Sequence, residues 1–327
     1  MRISGRMILL AFAGFFAYSN FSFVDSLAQG YPVKPIRMLV GYAPGGGTDV
    51  TARLVAQQLA EELGQPVVVE NRTGAAATIA AARVASSPAD GYTLLMMAAA
   101  DTAQPALRKL PYQLERDLAP VSLVVSGPAY VLVVHPSLPA RNVKDLITLA
   151  RSQPGQLNYA SSGIASAAHL AGELFNLMAK VNIVHVPFRS AAEGGVAVVA
   201  GDIFMGFPSI PSLLPFLPAG RLWPLALTSA KRASVMPSVP TLDESGLVRF
   251  DRSGWYGVLA PAGLPKDITS RLNAAIAKVV NTREMKESFA KLSLETQTTT
   301  PEQFAALIQR DVAENAKLIK LIGATAK

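Results

Sequence analysis

The sequence has no cysteine among its 327 residues. That absence excludes disulfide bonds, a thiol nucleophile and a lipid attached to cysteine, so a freely diffusing exported protein is favoured over a lipoprotein. Histidine is scarce too, because His135, His169 and His185 are the only three, and none has the spacing of a metal site. We therefore expect local packing or hydrogen-bonding roles for the histidines, and neither a metal nor a cofactor.

Several other features of enzymes and membrane proteins are missing. No Gly-x-Ser-x-Gly turn is present to carry a hydrolase nucleophile. After the N-terminal region, no segment reaches the ~18 uncharged apolar residues of a membrane span. The formal net charge is +7, but Lys and Arg are dispersed, which favours a solvated surface over nucleic-acid binding. We accordingly expect no enzymatic activity and no nucleic-acid partner.

The N-terminus has the three parts of a secretory signal peptide. Arg2 and Arg6 precede an apolar block at 7–16, and Ser26-Leu27-Ala28 forms a small-residue cleavage site. Residues 1–28 are therefore predicted to be a signal peptide that sends the chain to the periplasm. The roughly 300 residues that follow exceed one ordinary hydrophobic core, which predicts two lobes.

A glycine-rich turn, 45–49, is the most informative stretch of the chain. It joins an apolar run, 36–40, to an amphipathic run, 51–63, in the pattern strand, turn, helix. Glycine lets a ligand approach the backbone closely, and Thr48 or Asp49 can cap the helix. The first N–H groups and the positive end of the helix dipole would then face the turn, which predicts an anion site.

Other interpretations of this turn are weaker. A P-loop needs a lysine where Gly47 stands, and a dinucleotide fingerprint needs a third glycine where Val50 stands. A tight connection without a ligand is the plainest alternative, because glycine turns are common. The choice between a site and a connection depends on the neighbouring turns.

Two neighbouring turns follow the next predicted strands. The runs 67–70 and 92–97 are continuously apolar, as is typical of parallel strands, and they lead to turns around Ala76 and Asp101. In such sheets ligands bind beside the carboxyl ends of the strands. We therefore expect Gly45, Ala76 and Asp101 to lie on one rim of the first lobe.

The second half of the chain repeats this arrangement. A strand at 157–160 leads into the turn 161–166, and Ser166 is placed to cap a helix at 167–179. The hydroxyls and N–H groups of this turn would meet a second anionic group. An ordinary capped helix is the alternative interpretation.

Two apolar strands that end in proline, 130–136 and 256–261, are interpreted as the crossings between the lobes, and together they would form a two-stranded hinge. The predicted fold class is α/β, with two lobes that each contain a mainly parallel sheet flanked by helices. Amphipathic helical segments, 267–280, 283–292 and 301–322, finish the chain.

A family resemblance is carried by several segments in the right order along the whole chain after the signal peptide. They are Tyr42-Ala43-Pro44-Gly45-Gly46-Gly47-Thr48-Asp49, Gly64-Gln65-Pro66-Val67-Val68-Val69-Glu70-Asn71-Arg72, Asp90-Gly91-Tyr92-Thr93-Leu94-Leu95, Ser161-Ser162-Gly163, His185-Val186-Pro187-Phe188 and Trp255-Tyr256-Gly257. With them the sequence resembles the Bug family, also called the TctC family. Its members are the substrate-binding receptors of tripartite tricarboxylate transporters.

The resemblance implies a two-lobed periplasmic binding protein fold with a type II-like topology. We expect 29–130 to form the first part of lobe 1, 131–253 to form lobe 2, and 254–327 to return through the hinge to the C-terminal helices. The expected function is a monomeric receptor that captures a small organic carboxylate, either a di- or tricarboxylate or an aromatic acid, for a membrane permease. An exported receptor that acts with a signalling partner is the alternative.

In this family the turns that match 42–49 and 161–166 hold a carboxylate, largely through backbone N–H groups and ordered water. Departures from the family pattern also bear on the ligand. Arg189-Ser190-Ala191 stands where relatives usually have Lys-Gly-Ser, and Arg189 could pair bidentately with a carboxylate. The turn 73–78 replaces a glycine-richer turn and adds methyl groups.

Relatives often have an aspartate after the strand that matches 203–207, but here Pro208 and Ser209 follow. We therefore expect a ligand without an amino group, and the apolar lining suggests a less polar acid. The predicted ligand-binding residues are Tyr42, Ala43, Gly45, Gly46, Gly47, Thr48, Asp49, Ala76, Thr78, Asp101, Ser161, Ser162, Gly163, Ser166, Arg189 and Ser190.

Overall fold

The computed structural model describes residues 30–127 and 130–323, and the predicted signal peptide lies outside these ranges. The described residues form a mixed α/β protein with two sheets, one in each lobe. Within these ranges no helix is both long and apolar enough to cross a membrane.

The strands follow the apolar runs of the sequence, and most are buried on both faces because helices cover both sides of each sheet. In chain order they are β1 (Ile36–Val40), β2 (Val67–Asn71), β3 (Thr93–Ala98), β4 (Leu118–Ser126), β5 (Val131–Val134), β6 (Asn158–Ser161), β7 (Val184–Pro187), β8 (Met205–Gly206), β9 (Trp223–Leu227), β10 (Trp255–Pro261) and β11 (Glu295–Thr296).

The helices begin after these strands or in the C-terminal region. They are α1 (Gly47–Leu63), α2 (Thr78–Ala85), α3 (Gln104–Leu107), α4 (Leu114–Asp117), α5 (Val143–Ser152), α6 (Ala167–Ala179), α7 (Ala191–Ala200), α8 (Ile210–Leu213), α9 (Lys266–Val280), α10 (Arg283–Ala290) and α11 (Pro301–Ile322). Two 3-10 turns, Ala99–Ala103 and Leu214–Phe216, precede α3 and follow α8.

The two sheets have corresponding strand orders. The sheet of the first lobe has the order β11-β4-β10-β3-β1-β2, and that of the second lobe has the order β7-β6-β8-β5-β9. In each sheet three strands pair in parallel, β2-β1-β3 or β7-β6-β8. An antiparallel strand, β10 or β5, then separates this group from the next strand. The sheets are therefore mixed, and only β10, β11 and β5 run against the other described strands of their sheet.

The crossings between the lobes differ in one respect from the predicted two-stranded hinge. β5 and β10 each follow a crossing, as expected, but they do not pair with each other, because β5 lies in the second sheet and β10 in the first. The chain segments meet just before these strands, where the Gly127 amide donates a 2.9 Å hydrogen bond to the carbonyl of Gly254. The Tyr130 amide donates to Thr228 Oγ1 at 3.0 Å on the second-lobe side.

The lobes also touch through an apolar cluster beside the crossings. Ala103, from the 3-10 turn of the first lobe, and Ile319, from α11, pack with Ala165 and Leu170 of the second lobe. α11 begins at a capping box in which Thr300 and Gln303 exchange hydrogen bonds, and Pro301 occupies its first position. This helix therefore runs from the outer face of the first sheet to the second lobe.

We predict opposite effects for the same substitution at two glycines inside helices. A Cβ at Gly172 of α6 would lie 2.4 Å from the ring of Tyr159, which is fully buried, whereas a Cβ at Gly195 of α7 would meet no atom within 4 Å. Gly172→Ala should lower the free energy of unfolding by about 1–3 kcal/mol through overpacking. Gly195→Ala should raise it by up to about 1 kcal/mol through helix propensity. Thermal melts of both variants measure this, and equal shifts would show that the packing at Tyr159 is not as described.

Candidate functional site

A cavity of about 770 Å³ lies between the lobes, at the carboxyl ends of the parallel strands of both sheets. Loops after β1 and β2 form its first-lobe wall, and loops after β6, β7 and β8 form its second-lobe wall. The predicted residues that line it are Tyr42, Ala43, Gly45, Gly46, Gly47, Thr48, Ala76, Ser161, Ser162, Gly163, Arg189 and Ser190. The other four predicted residues, Asp49, Thr78, Asp101 and Ser166, are not part of its lining.

The loop after β1 presents an uncapped helix N-terminus to the cavity. Gly46 is the N-cap residue of α1, and no side chain accepts a hydrogen bond there. This corrects the prediction that Thr48 or Asp49 is the cap, since α1 already begins at Gly47. Because the first N–H groups of a helix have no intrahelical acceptor, they remain available to a ligand in the cavity.

Asp49 fixes the shape of this loop instead of lining the cavity. Its buried carboxylate accepts hydrogen bonds from the Gly45 amide at 2.9 Å, from Asn71 Nδ2 at 2.7 Å and from Arg53 Nε at 3.0 Å. Burial raises the pKa of Asp49, but the hydrogen bonds from Arg53, Asn71 and Gly45 outweigh it and lower the pKa overall. The carboxylate therefore stays ionised and joins the loop after β1 to the end of β2.

The loop after β2 has an unusual backbone. Ala75, Ala76 and Ala77 all have positive φ, at 46°, 50° and 69°, a region that costs a residue with a Cβ about 1–2 kcal/mol. Gly41 is required opposite them, because a Cβ there would lie 2.3 Å from the Cβ of Ala77. α2 is likewise uncapped by any side chain, because its N-cap residue is Ala77. Thr78 Oγ1 donates to the Ala75 carbonyl at 2.9 Å.

A polar cluster lies beneath the first loop. The Tyr42 hydroxyl donates to Asp101 Oδ1 at 2.5 Å, and the Ala98 amide donates to Asp101 Oδ2 at 3.0 Å. Burial raises the pKa of Asp101 to about 7, against the opposing effect of these two hydrogen bonds. Asp101 therefore supports Tyr42, which lines the cavity, and is not the expected rim residue.

Ser161 begins the second-lobe loop, and its Oγ donates to the Gly163 carbonyl at 3.1 Å. It is buried, and its Oγ lies 2.6 Å from His185 Nε2 and accepts from the Gly163 amide at 3.1 Å. Ser166 caps α6 as predicted, because its Oγ accepts from the His169 amide. The loop between them is thus held at both ends, with Ser162 and Gly163 facing the cavity.

The pairing of Ser161 with His185 resembles a nucleophile and its base, but its electrostatics are unsuitable. Burial, with a smaller contribution from His169, lowers the pKa of His185 to about 3, and burial lowers that of His169 to about 4. A base this weak is far from the pKa near the working pH that general-base catalysis favours. The neutral imidazole instead orients the Ser161 hydroxyl.

The loop after β7 supplies the positively charged side chain of Arg189 and leads into the capped N-terminus of α7. Ser190 caps α7 by accepting from the Glu193 amide at 3.2 Å, while also lining the cavity. The Arg189 amide donates to the Glu193 carboxylate, and the Arg189 side chain lines the cavity and is exposed. Phe188 lines the cavity as well.

Sequence reasoning misses much of the second-lobe wall and one basic residue of the first lobe. The apolar wall comes from positions scattered along the chain, and the sequence carries no local signal for it. Arg108 follows α3 directly before Lys109, and no motif marks it as a site residue. These cavity-lining residues are Val133, Ile164, Val198, Phe207, Leu213, Phe216, Leu222 and Arg108.

Proteins of similar sequence and fold are known. Residues 51–324 match the family model TctC, the tripartite tricarboxylate transporter family receptor. The chain is 34% identical over 322 residues to protein BugT of Bordetella pertussis, covering 98% of each protein. It is 33% identical to R. palustris Rpa4515, solved with adipate, with a TM-score of 0.86 and coverage of 90% of this chain and 98% of that one.

A second solved relative is MatC from Rhodopseudomonas palustris, with bound malate. It is 30% identical, with a TM-score of 0.83, and the match covers 88% of this chain and 100% of that one. Both solved relatives therefore hold an aliphatic dicarboxylate in a protein of the same fold.

We predict that Asp101 makes the protein less stable as the pH rises from about 4 to about 7. An unfolded Asp ionises near pH 4, whereas folded Asp101, with its pKa raised to about 7, keeps its proton across this window. The free energy of unfolding should fall by up to about 1.4 kcal/mol per pH unit there and level off above it. Asp101→Asn should flatten this part of the stability profile.

Melting temperatures measured from pH 4 to pH 8 provide the comparison. Asp202→Asn, at an exposed position, is the control and should keep the wild-type profile. If Asp101→Asn and wild type had the same slope, Asp101 would be ionised throughout and the buried-acid description would be wrong.

Proposed function

Because the chain belongs to the tripartite tricarboxylate transporter receptor family, we propose that it is a periplasmic receptor that binds a small organic carboxylate between its lobes. The ligand has an apolar body and no amino group. The receptor delivers it to the membrane permease of such a transporter and does not transform it.

The observation that carries this proposal is that the cavity lining offers hydrogen-bond donors without acidic side chains. Hydrogen-bond donors reach it from uncapped helix N-termini in the first lobe and from Ser162 in the second. Among the described residues that line it there is no Asp or Glu. A carboxylate would therefore find donors on both sides, and no lining carboxylate would repel it.

The same lining argues against an amino group on the ligand. A ligand ammonium needs an acidic partner, and the positions after β8 that could supply one are Pro208 and Ser209, which line the cavity. The second-lobe wall offers aromatic and aliphatic side chains instead, including Phe188 and Phe216. A linear or aromatic acid with a hydrocarbon body fits this wall, and the dicarboxylates held by the two solved relatives belong to the same chemical class.

Closure of the lobes around the crossings at Gly127 and Gly254 would bring the two sets of donors together. Backbone amides suit this task because they are already ordered before the ligand arrives. The predicted signal peptide, residues 1–28, supports a periplasmic location for this event, and we propose that the receptor acts there as a monomer.

A thermal-shift screen tests the proposed ligand class. We expect aliphatic dicarboxylates or aromatic acids to raise the melting temperature, because a ligand that binds only the folded state stabilises it. Aspartate and glutamate should have little effect, since their ammonium groups find no acidic partner. Tight binding of either amino acid, or no shift with any carboxylate, would contradict the proposal.

We predict that Ser162→Ala lowers the affinity for the tightest-binding acid of that screen by about 10- to 100-fold, because a hydrogen bond to a charged group contributes about 1.5–3 kcal/mol. Titration calorimetry measures the change. Ser152→Ala is the matched control, because Ser152 is exposed at the end of α5 and bonds only locally to the Leu149 carbonyl. Equal affinities of Ser162→Ala and wild type would remove Ser162 from the site.

A further inference from the structure

A buried acid without a positive partner lies behind the first-lobe wall of the cavity. Asp101 is 8% exposed, with Oδ1 2.5 Å from the Tyr42 hydroxyl and Oδ2 3.0 Å from the Ala98 amide. Within the described ranges no charged side chain is among the groups that shift its pKa, and this includes Arg108 in the cavity lining and Arg252 before β10. Because a buried carboxylate without a counterion is costly, the protonated form is favoured.

The groups that face Asp101 from other elements are tyrosine hydroxyls. Tyr42 follows β1, and Tyr112 precedes α4. Tyr130 lies at the first crossing, and Tyr256 belongs to β10. The charge of Asp101 acts on all four hydroxyls and raises the pKa of each. Hydroxyls can donate or accept, so this surrounding accommodates either protonation state of the acid.

Protonation of Asp101 decides the direction of its hydrogen bond with Tyr42. Oδ2 accepts from a backbone amide, whose hydrogen is fixed, so the carboxyl proton belongs on Oδ1, opposite the Tyr42 hydroxyl. A protonated Oδ1 donates to Tyr42 Oη and leaves the phenolic hydrogen for another acceptor. An ionised Oδ1 takes that hydrogen itself, so Tyr42 then has no donor to offer.

The hydrogen that Tyr42 would release lies beside the N-terminus of α1. Tyr42 lines the cavity, and among the described residues its hydroxyl bonds only to Asp101. Tyr130 and Tyr256, which act on the Tyr42 hydroxyl, line the cavity too. A Cβ at Gly47, the first residue of α1, would lie 2.5 Å from Tyr256 Oη. The hydroxyl cluster therefore adjoins the helix end that favours a carboxylate.

We propose that Asp101 is a proton-linked positioning residue, which takes up a proton when a carboxylate binds so that the Tyr42 hydroxyl can donate to that carboxylate. A receptor whose Asp101 is ionised takes one proton from solvent for each acid bound. The same proton removes a negative charge behind the cavity wall and so reduces repulsion of the ligand. This role of Asp101 rests on the proposed carboxylate-binding function and adds the protonation state in which the receptor binds.

The affinity for a carboxylate should therefore depend on pH. Below about pH 7 the ligand-free receptor already holds the Asp101 proton, so the affinity should be highest there. Above that pH, binding must first draw the proton from solvent. The affinity should then fall by up to tenfold per pH unit, and up to one proton should be taken up for each acid bound.

Titration calorimetry with adipate and benzoate, one acid from each proposed class, measures both quantities from pH 6.5 to pH 8.5, where both acids stay ionised. If neither binds, the tightest-binding acid of the thermal-shift screen replaces them. Each pH is repeated in two buffers of different ionisation enthalpy, because the difference in heat gives the number of protons taken up. Wild type should bind at least tenfold more weakly at pH 8.5 than at pH 6.5.

Three variants separate the proton from the fold. Asp101→Asn imitates the protonated acid, because its Nδ2 can donate to Tyr42 Oη while its Oδ1 accepts from the Ala98 amide. Its affinity should not change with pH, and at pH 8.5 it should exceed that of wild type about tenfold. Tyr42→Phe lacks the donor and should bind about tenfold more weakly than wild type at pH 6.5. Asp202→Asn, at an exposed position, is the control and should keep the wild-type profile.

Several outcomes would overturn this role while leaving carboxylate binding intact. They are a wild-type affinity that does not change with pH, binding without proton uptake at pH 8.5, or equal profiles of Asp101→Asn and wild type. The wild-type measurements need no variant, so they decide the matter even if Asp101→Asn fails to fold. If no acid of the screen binds wild type at any pH, the proposed function fails and the role of Asp101 fails with it.

Discussion

The buried carboxylate of Asp49 holds the loop on which the proposed ligand contacts depend. It joins the Gly45 amide, the side chain of Asn71 and the guanidinium of Arg53, so the loop after β1, the end of β2 and the first turns of α1 form one unit. No side chain caps α1, because its N-cap residue is Gly46 and Asp49 lies inside the first turn with its acceptors used by these groups. A capping side chain would compete with a ligand for the first helical N–H groups, so the absence of a cap leaves the donors to the cavity.

The two lobes contribute different chemistry to the cavity. The first lobe supplies small residues and fixed backbone donors, while the second supplies Ser161 and an apolar wall that includes Phe188 and Phe216. Fixed donors lose little conformational entropy when a carboxylate binds, and an apolar wall gains free energy in proportion to the ligand surface that it covers. Orientation of the acid by the first lobe and coverage of its hydrocarbon body by the second are thus separate contributions, each set by its own loops.

The sequence predicts the local elements well and the long-range relations poorly. The bounds of α6 and α11 agree with the expectation from periodicity and capping residues, and the family resemblance identifies both turns that line the cavity. β4 has no predicted counterpart, because Pro120 and Ser122 interrupt an apolar run that is stabilised by its neighbours β10 and β11. β5 and β10 do not pair with each other as the predicted two-stranded hinge requires. Their similar sequences do not determine which sheet each strand joins. Asp49 and Asp101 are expected at the ligand because each follows a parallel strand at the predicted rim, yet both are buried, and each has one partner distant in sequence, Asn71 and Tyr42 respectively.

The left-handed alanines after β2 connect backbone strain with the character of the ligand. Glycine would adopt the positive φ angles of Ala75, Ala76 and Ala77 without penalty, so a glycine turn would be the more stable choice for the loop alone. The alanines instead place methyl groups in the lining of the cavity, while Gly41 makes room for the Cβ of Ala77 from behind. Backbone strain of this kind is concentrated at functional sites, so we attribute the strain of these alanines to their contact with the ligand. The methyl groups extend apolar surface from the second lobe to the first, which favours a ligand whose hydrocarbon body is covered on both sides.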